Sequence, residues 1–296
     1  MLSLKQPVHI EMFFDQDSNT FSYLVIDGAT QQAAIIDPVL NYDAAAGVVS
    51  TEGADAILTF IDQHQLSLVW ILETHAHADH LSAAHYIKLK TAAPIAIGEG
   101  IRKVQQTFKV IFNIADQELT AKGDYFDHLF ADEECFQIGN LEGRVINTPG
   151  HTNDSVSYLI AGHLFVGDSL FMPDAGTARC DFPGGDAALL FQSIQRLYQL
   201  PDETPMYMCH DYQPNGRELR YVTSVGEQKQ QNIHVAADTD SKDFVQKRTK
   251  RDQTLAVPKL IYPAVQVNIR GGQLPAEESN GTAYIKIPLK GTAQLD

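Results

Sequence analysis

The apolar run Leu68-Val69-Trp70-Ile71-Leu72 stops at Glu73-Thr74-His75-Ala76-His77-Ala78-Asp79-His80, where three imidazoles and a carboxylate fall within six residues. Neutral imidazole and ionised carboxylate are the ligands a first-row divalent cation accepts most readily, and a strand ending there delivers them to one point. Packed together without a cation, the imidazoles would repel one another on protonation. The cluster therefore asks for a fold in which strand ends converge, and the other strong polar candidates repeat its placement. His151, in Thr148-Pro149-Gly150-His151-Thr152, follows a strand over 141–146; Asp168, in Gly167-Asp168, follows one over 164–166; His210 and Asp211 follow one over 205–209. Rigid strand ends whose loops expose side chains are what a site at one edge of layered sheets requires.

The rest of the pattern is mixed. Residues 21–26 and 33–38 read as strands around a turn containing Asp27-Gly28. Apolar residues at Ile57, Leu58 and Ile61 predict a helix over 54–64; further helices are predicted over 81–89, 101–112 and 186–200, and a short strand over 94–97. From Phe136 to Ile160 the pattern turns to strands. Beyond about Asn232 the chain becomes polar, and a helical C-terminal extension is expected, with Pro258, Pro263, Gly271-Gly272 and Pro275 marking loops and short edge strands. The expected organisation is a catalytic domain over 1–235 and an extension over 236–296 packed on the same domain.

Composition narrows the function classes. With 296 residues, 44% of them apolar, the chain can bury a sizeable core. Its net charge is −15 and no Lys/Arg run is longer than the pairs Lys247-Arg248 and Lys250-Arg251, which argues against a nucleic-acid or membrane partner. Cys135, Cys180 and Cys209 are too few and too irregular for a disulfide framework or a zinc finger, so a reducing compartment is expected. Cys180 and Cys209 are expected as small buried apolar residues. The stretch 1–7 lacks the apolar core of a secretion signal, and no uncharged apolar stretch is long enough to span a bilayer. The expected location is the cytoplasm.

Taken singly, several candidates stay open. His151 alone is ambiguous, and Asp168 after its strand is either a helix N-cap or a ligand. Arg179 is either a surface side chain or a fork of donors near the site. Tyr212 either offers a hydroxyl to the site or belongs to the core. His9, His64, His85, His128, His163 and His234 stand in no ligand-like context.

Taken together, the order of the His cluster, Gly-His-Thr, Gly-Asp and Cys-His-Asp resembles the metallo-β-lactamase superfamily along residues 20–212. The resemblance implies an α/β fold, the αββα sandwich, with metal at one edge. Arg179-Cys180-Asp181-Phe182 after Asp168, and His210-Asp211-Tyr212, look like the persulfide dioxygenase branch, which is related to glyoxalase II; a bacterial β-lactamase-like hydrolase subgroup is the form expected. That branch implies a single Fe(2+) on His75, His151 and Asp168, and oxidation of glutathione persulfide, or a related small persulfide, by O2 to sulfite and thiol. Two His and one carboxylate also form the set that leaves positions open on Fe(II), so the chemistry agrees with the resemblance. His77, Asp79, His80 and His210 would then be inner-site residues, with Arg179, Tyr212 and His210 as the catalytic candidates. The hydrolase branch implies the alternative, one or two Zn(2+) ions hydrolysing a glutathione thioester: His77 completes a first site, and Asp79, His80 and His210 build a second that shares Asp168. Arg217, Arg220 and Lys229 are candidates for the carboxylates of glutathione, against the plainer reading of a solvated face. A homodimer is plausible by analogy with the family.

Overall fold

The computed structural model describes residues 7–289; positions 1–6 and 290–296, which include the ends of the two expected domains, lie outside the described residues. Six strands open the chain: β1 (Val8–Asp15), β2 (Thr20–Asp27), β3 (Gln32–Ile36), β4 (Val39–Asp43), β5 (Val48–Ser50) and, after helix α1 (Glu52–Gln63), β6 (Ser67–Leu72). β7 (Leu81–Ser82), α2 (Ala84–Thr91), β8 (Ile95–Gly98), α3 (Ile101–Ile111) and β9 (His128–Phe130) complete the first half. The second half holds β10 (Cys135–Ile138), β11 (Leu141–Asn147), β12 (Val156–Ile160), β13 (His163–Phe165), α4 (Ala187–Leu197), β14 (Pro205–Tyr207) and β15 (Val222–Ser224). Three helices close it: α5 (Val225–Gln231), α6 (Ser241–Asp252) and α7 (Ile261–Asn268).

Two six-stranded sheets result, ordered β1-β2-β3-β6-β8-β9 and β10-β11-β12-β13-β14-β15. Strand periodicity explains why they stack. Phe21, Tyr23 and Val25 of β2 point into a core shared with Phe136, Val145, Tyr158 and Phe165 of the second sheet. The alternate residues Leu24 and Ile26 face outward onto a second core with Ile57 and Ile61 of α1 and Ile87 of α2. On the far side, Ile146 and Leu164 pack under Leu190 and Ile194 of α4 and Phe244 of α6. The layers are therefore helix, sheet, sheet, helix, the αββα sandwich.

Most expected elements lie close to their predicted places, and three differ. The helix expected over 81–89 begins at Ala84, because Leu81 and Ser82 pair as a short strand with Leu40 and Val39. The loops expected around Pro263 are instead interrupted by α7; Pro263 sits at its third position, where a backbone N–H would have no helical partner, so a proline loses nothing there. The strands β1, β4, β5, β9 and β15 and the helix α5 have no counterpart in the sequence reading. β1 is half-buried along its whole length, which blurs the alternation that marks an amphipathic strand. No helix of the described residues is long and apolar enough to cross a membrane.

Candidate metal centre

Strand ends and the loops after them bring His75, His77 and His80, His151, Asp168 and His210 to one edge of the sandwich, all buried. Gly150 sets the first approach: at φ +141° its Cα lies so close to α4 that an added Cβ would come within 2.3 Å of Leu190 backbone. The Pro-Gly turn can thus press against the helix and present His151. Asp168 caps no helix, since the next one begins at Ala187.

Two groups of ligand atoms converge. His75, His151 and Asp168 form one, and His77, Asp79 and His80 another, each with its atoms within 4.8 Å of one another. His210 Nε2 lies 3.2 Å from Asp168 Oδ1 and 3.4 Å from Asp79 Oδ2, so it borders both.

The other ring nitrogens fix which atom each imidazole offers. His151 Nδ1 donates to the Arg179 carbonyl at 2.7 Å, which leaves Nε2 as the free lone pair. His75 Nδ1 lies 3.0 Å from Thr74 Oγ1, whose hydroxyl donates to Asp37 Oδ2 at 2.8 Å; the threonine therefore accepts from His75. His210 Nδ1 donates to the Asn19 carbonyl at 3.2 Å. In consequence His75 Nε2, His80 Nε2, His210 Nε2 and Asp168 Oδ1 are buried with no hydrogen-bond partner. Buried polar atoms rarely stay unpaired, and four such atoms gathered at one edge fit a cation better than anything a protein donor could supply.

At His75 and Asp168 the charges agree with this arrangement. Burial, and then the neighbouring His77, hold His75 well below the ordinary histidine value, so its lone pair is free. Burial opposes ionisation of Asp168, yet His210 and the other imidazoles hold its carboxyl well below the usual range. His77 differs from its neighbours: Nε2 lies 3.1 Å from Asp37 Oδ1 and 3.6 Å from Glu73 Oε2. Burial works against its charge, but these carboxylates keep its pKa up at about 9. Burial and then Asp37 push Glu73 up to about 8.

A cavity of about 530 Å³ opens onto the centre, lined by Asp79, His151 and Asp168 and walled by Phe171, Phe182 and Leu255 among others. Tyr212 lines it too; 52% exposed, it is no core residue, and its ring stacks on His210 with centroids 5.8 Å apart. Arg179 lines the same wall, but its fork is engaged: Nε and Nη2 reach Asp181 at 2.6 and 2.7 Å, and Nη1 reaches the Ala256 carbonyl at 2.7 Å. It therefore ties the 179–182 segment to the chain beyond α6.

The three cations weighed for glutathione carboxylates, against the plainer reading of a solvated face, are engaged elsewhere. Arg217 pairs with Asp174 and the buried Asp211, Arg220 with Glu227, and Lys229 with Asp202; none lines the cavity. Each is drawn to a carboxylate nearby in the fold, which the linear sequence does not reveal. Of the remaining histidines, His234 touches the site's surroundings, accepting from Thr177 N–H at 3.0 Å. Cys180 and Cys209 are buried and Cys135 is exposed.

Several supporting residues escape the sequence reading. Asp37, at the end of β3, accepts from Thr74 N–H at 2.7 Å as well as from its hydroxyl. Asp154 Oδ2 accepts from Ala76 N–H at 2.8 Å. Asp37-Pro38 after an apolar strand has the same form as the ligand positions and is the one signal that could have found the first. Nothing local marks the second.

A family model described as the metallo-beta-lactamase superfamily matches residues 16–210. The chain belongs to the metallo-β-lactamase superfamily. Its similarity to individual members spans several names. It is 50% identical over 96% of its length to a beta-lactamase hydrolase-like protein of Xylella fastidiosa, of whose length it spans only 65%. It is 48% identical to glyoxylase B2 of Dictyostelium discoideum over 95% of this chain and 96% of that protein. The crystal structure of ETHE1 from Myxococcus xanthus superposes with a TM-score of 0.71 at 32% identity, covering 90% of this chain and all of that one. More remote similarity reaches human persulfide dioxygenase ETHE1 (27% identity; 90% of this chain, 89% of that) and hydroxyacylglutathione hydrolase of Vibrio cholerae (26%; 76% and 79%). Superfamily membership and the converging donors together support a divalent-metal enzyme.

Proposed function

We propose that this metallo-β-lactamase-fold chain is an iron-dependent persulfide dioxygenase acting on glutathione persulfide or a related small persulfide. The observation that carries the reading is the grouping of His75, His151 and Asp168 as a converging set of two imidazoles and one carboxylate, with His77 grouped elsewhere and facing Asp37 and Glu73. Those three residues would hold the ion. Fe(II) in such a set supplies open coordination positions and the one-electron chemistry with dioxygen that no side chain offers. The overall change balances as persulfide (RSSH) + O2 + H2O giving thiol (RSH), hydrogen sulfite and a proton.

The chain's own contribution is orientation and exclusion. The Arg179 carbonyl and Thr74 hydroxyl hold His151 and His75 in the tautomers that aim Nε2 at the ion. Phe171, Phe182 and Leu255 line an apolar approach that keeps bulk water from the reacting sulfur. Tyr212, on the wall of the cavity, would offer its hydroxyl to the substrate. Homology to ETHE1 supports the reading.

A second reading has its own observation: His77, Asp79 and His80 converge as a second group, with His210 against Asp79. Two Zn(2+) ions held by these residues and the first group would suit hydrolysis of a thioester such as S-lactoylglutathione, and the hydrolase names among the relatives support it. Oxygen uptake separates the two. Protein loaded with iron under anaerobic conditions is expected to consume O2 with glutathione persulfide and to release sulfite; uptake no faster than buffer, with S-lactoylglutathione turned over by the zinc form, would overturn the dioxygenase reading.

A further inference from the structure

The loop that carries His77 and His80 is held from a part of the chain that contributes no ligand. Asn268, the last residue of α7, is buried, and its side chain makes three hydrogen bonds to that loop. Nδ2 donates to the His77 carbonyl and to the His80 carbonyl, each at 2.8 Å, and Oδ1 accepts from Ser82 N–H at 2.8 Å. An asparagine amide has two donors and an acceptor, and here all three go to one six-residue turn. The backbone beyond the helix fits as closely: Gly272, at φ +84°, lies where an added Cβ would come within 2.7 Å of the Ser82 carbonyl.

The rest of α7 anchors that contact. Ala264 and Val267 pack in the core with Leu81 and Ala83, and Val265 and Ile269 pack with Ala76 and Ala78. The helix therefore touches the ligand loop by apolar faces on two sides and by one polar residue aimed at its backbone. His80 has little else to fix it. Its Nδ1 is 3.3 Å from Thr20 Oγ1 and 3.5 Å from Asp79 Oδ2, and its Nε2 has no partner.

We propose that Asn268 is a positioning residue of the metal centre: by clamping the His77 and His80 carbonyls and the Ser82 amide, it sets the direction of the His77 and His80 side chains toward the ion-binding space. The 77–82 turn has few internal hydrogen bonds of its own, so without the clamp its carbonyls would seek other donors and the imidazoles would turn with them. The inference rests on the reading in which His77 and His80 hold metal, the two-ion arrangement of the second reading.

The test uses cobalt(II) as the probe, with binding read by its visible absorption and by competition with a chelator, in the full chain. N268D keeps the acceptor for Ser82 N–H but sets a carboxylate oxygen against two carbonyls. Q266A is the control from the same helix: Gln266 bonds Tyr262 and Lys286 and does not touch the ligand loop. Outer-sphere partners of ligands change metal affinity by roughly 10–100-fold, so N268D is expected to bind cobalt that much more weakly and with an altered spectrum, while Q266A binds as the wild type does. N268A, which removes the donors and the acceptor without adding charge, carries the same test if N268D does not fold. Wild-type affinity and spectrum in the folded variant would overturn the proposal, as would failure of both variants to fold, which would assign Asn268 to the fold alone. Failure of the wild type to bind cobalt would overturn the metal-centre reading itself, and with it the role given to Asn268.

Discussion

Thr74 illustrates how the centre depends on groups that never face the ion. Its hydroxyl accepts from His75 and donates to Asp37, so one small side chain passes the orientation of a carboxylate to an imidazole. Valine has nearly the same shape and lacks both functions. Thr74→Val is therefore expected to fold and to bind iron roughly 10–100-fold more weakly, as measured by chelator competition; unchanged affinity would show that the hydroxyl does not orient His75. The ligand candidates themselves were legible because His, Gly-His and Gly-Asp sit three or four residues past strands, a local signal. Thr74 lay within the same motif, and nothing local told its role from that of a spacer. Asp154 and Asn268 act from 78 and more than 180 residues away, a separation at which the sequence alone carries no pairing information.

At the scale of elements, the sandwich was readable because its strands and amphipathic helices follow their periods, as in α4 with Leu190, Ile194 and Leu197 buried on one side. The C-terminal helices were not placed with the same ease, because α6 is strongly polar and α7 is buried almost all round, so neither shows a clean stripe. Yet α6 supplies a buried ion pair, Arg248 to Asp252, that reaches the site's wall. Asp252 Oδ2 accepts from Cys180 N–H at 2.8 Å, and Arg248 donates to the Thr177 carbonyl at 3.1 Å. The pair thus holds the segment whose Arg179 carbonyl orients His151. Asp252→Asn leaves Arg248 buried without its counter-charge, and such losses cost about 3 kcal/mol or more. Denaturant unfolding should show a loss of that order; a change below about 0.5 kcal/mol, the usual range for a surface site, would place the pair outside the load on this segment.

For the molecule as a whole, folding stability should carry the signature of a half-buried neutral histidine outside the ligand set. Burial and then the cations of α6, Arg248 first, hold His234 down at about 4, and its Nδ1 accepts from Thr177 N–H. Because the folded value lies below the unfolded one of about 6.5, the contribution is complete above pH 6.5 and is lost as pH falls toward 4, when the unfolded chain takes up the proton first. His234→Gln should remove that part of the slope between pH 6.5 and 4 in unfolding titrations; a slope identical to wild type would mean that His234 titrates alike in both states. The same scale shows why the sequence implied the superfamily so directly. The motifs lie past strand ends along most of the chain, and the fold closes them into one edge, so recognising their order was equivalent to recognising the superfamily. What stayed illegible is the division of labour among the ligands, which depends on which ring nitrogen each neighbour occupies.

That division is best tested by counting metal. Elemental analysis of protein prepared anaerobically, wild type beside His210→Ala, asks how many ions the centre holds and whether His210 holds one of them. A single iron on His75, His151 and Asp168 predicts one iron per chain in both proteins. Two ions per chain in the wild type, falling to one in His210→Ala, would contradict it.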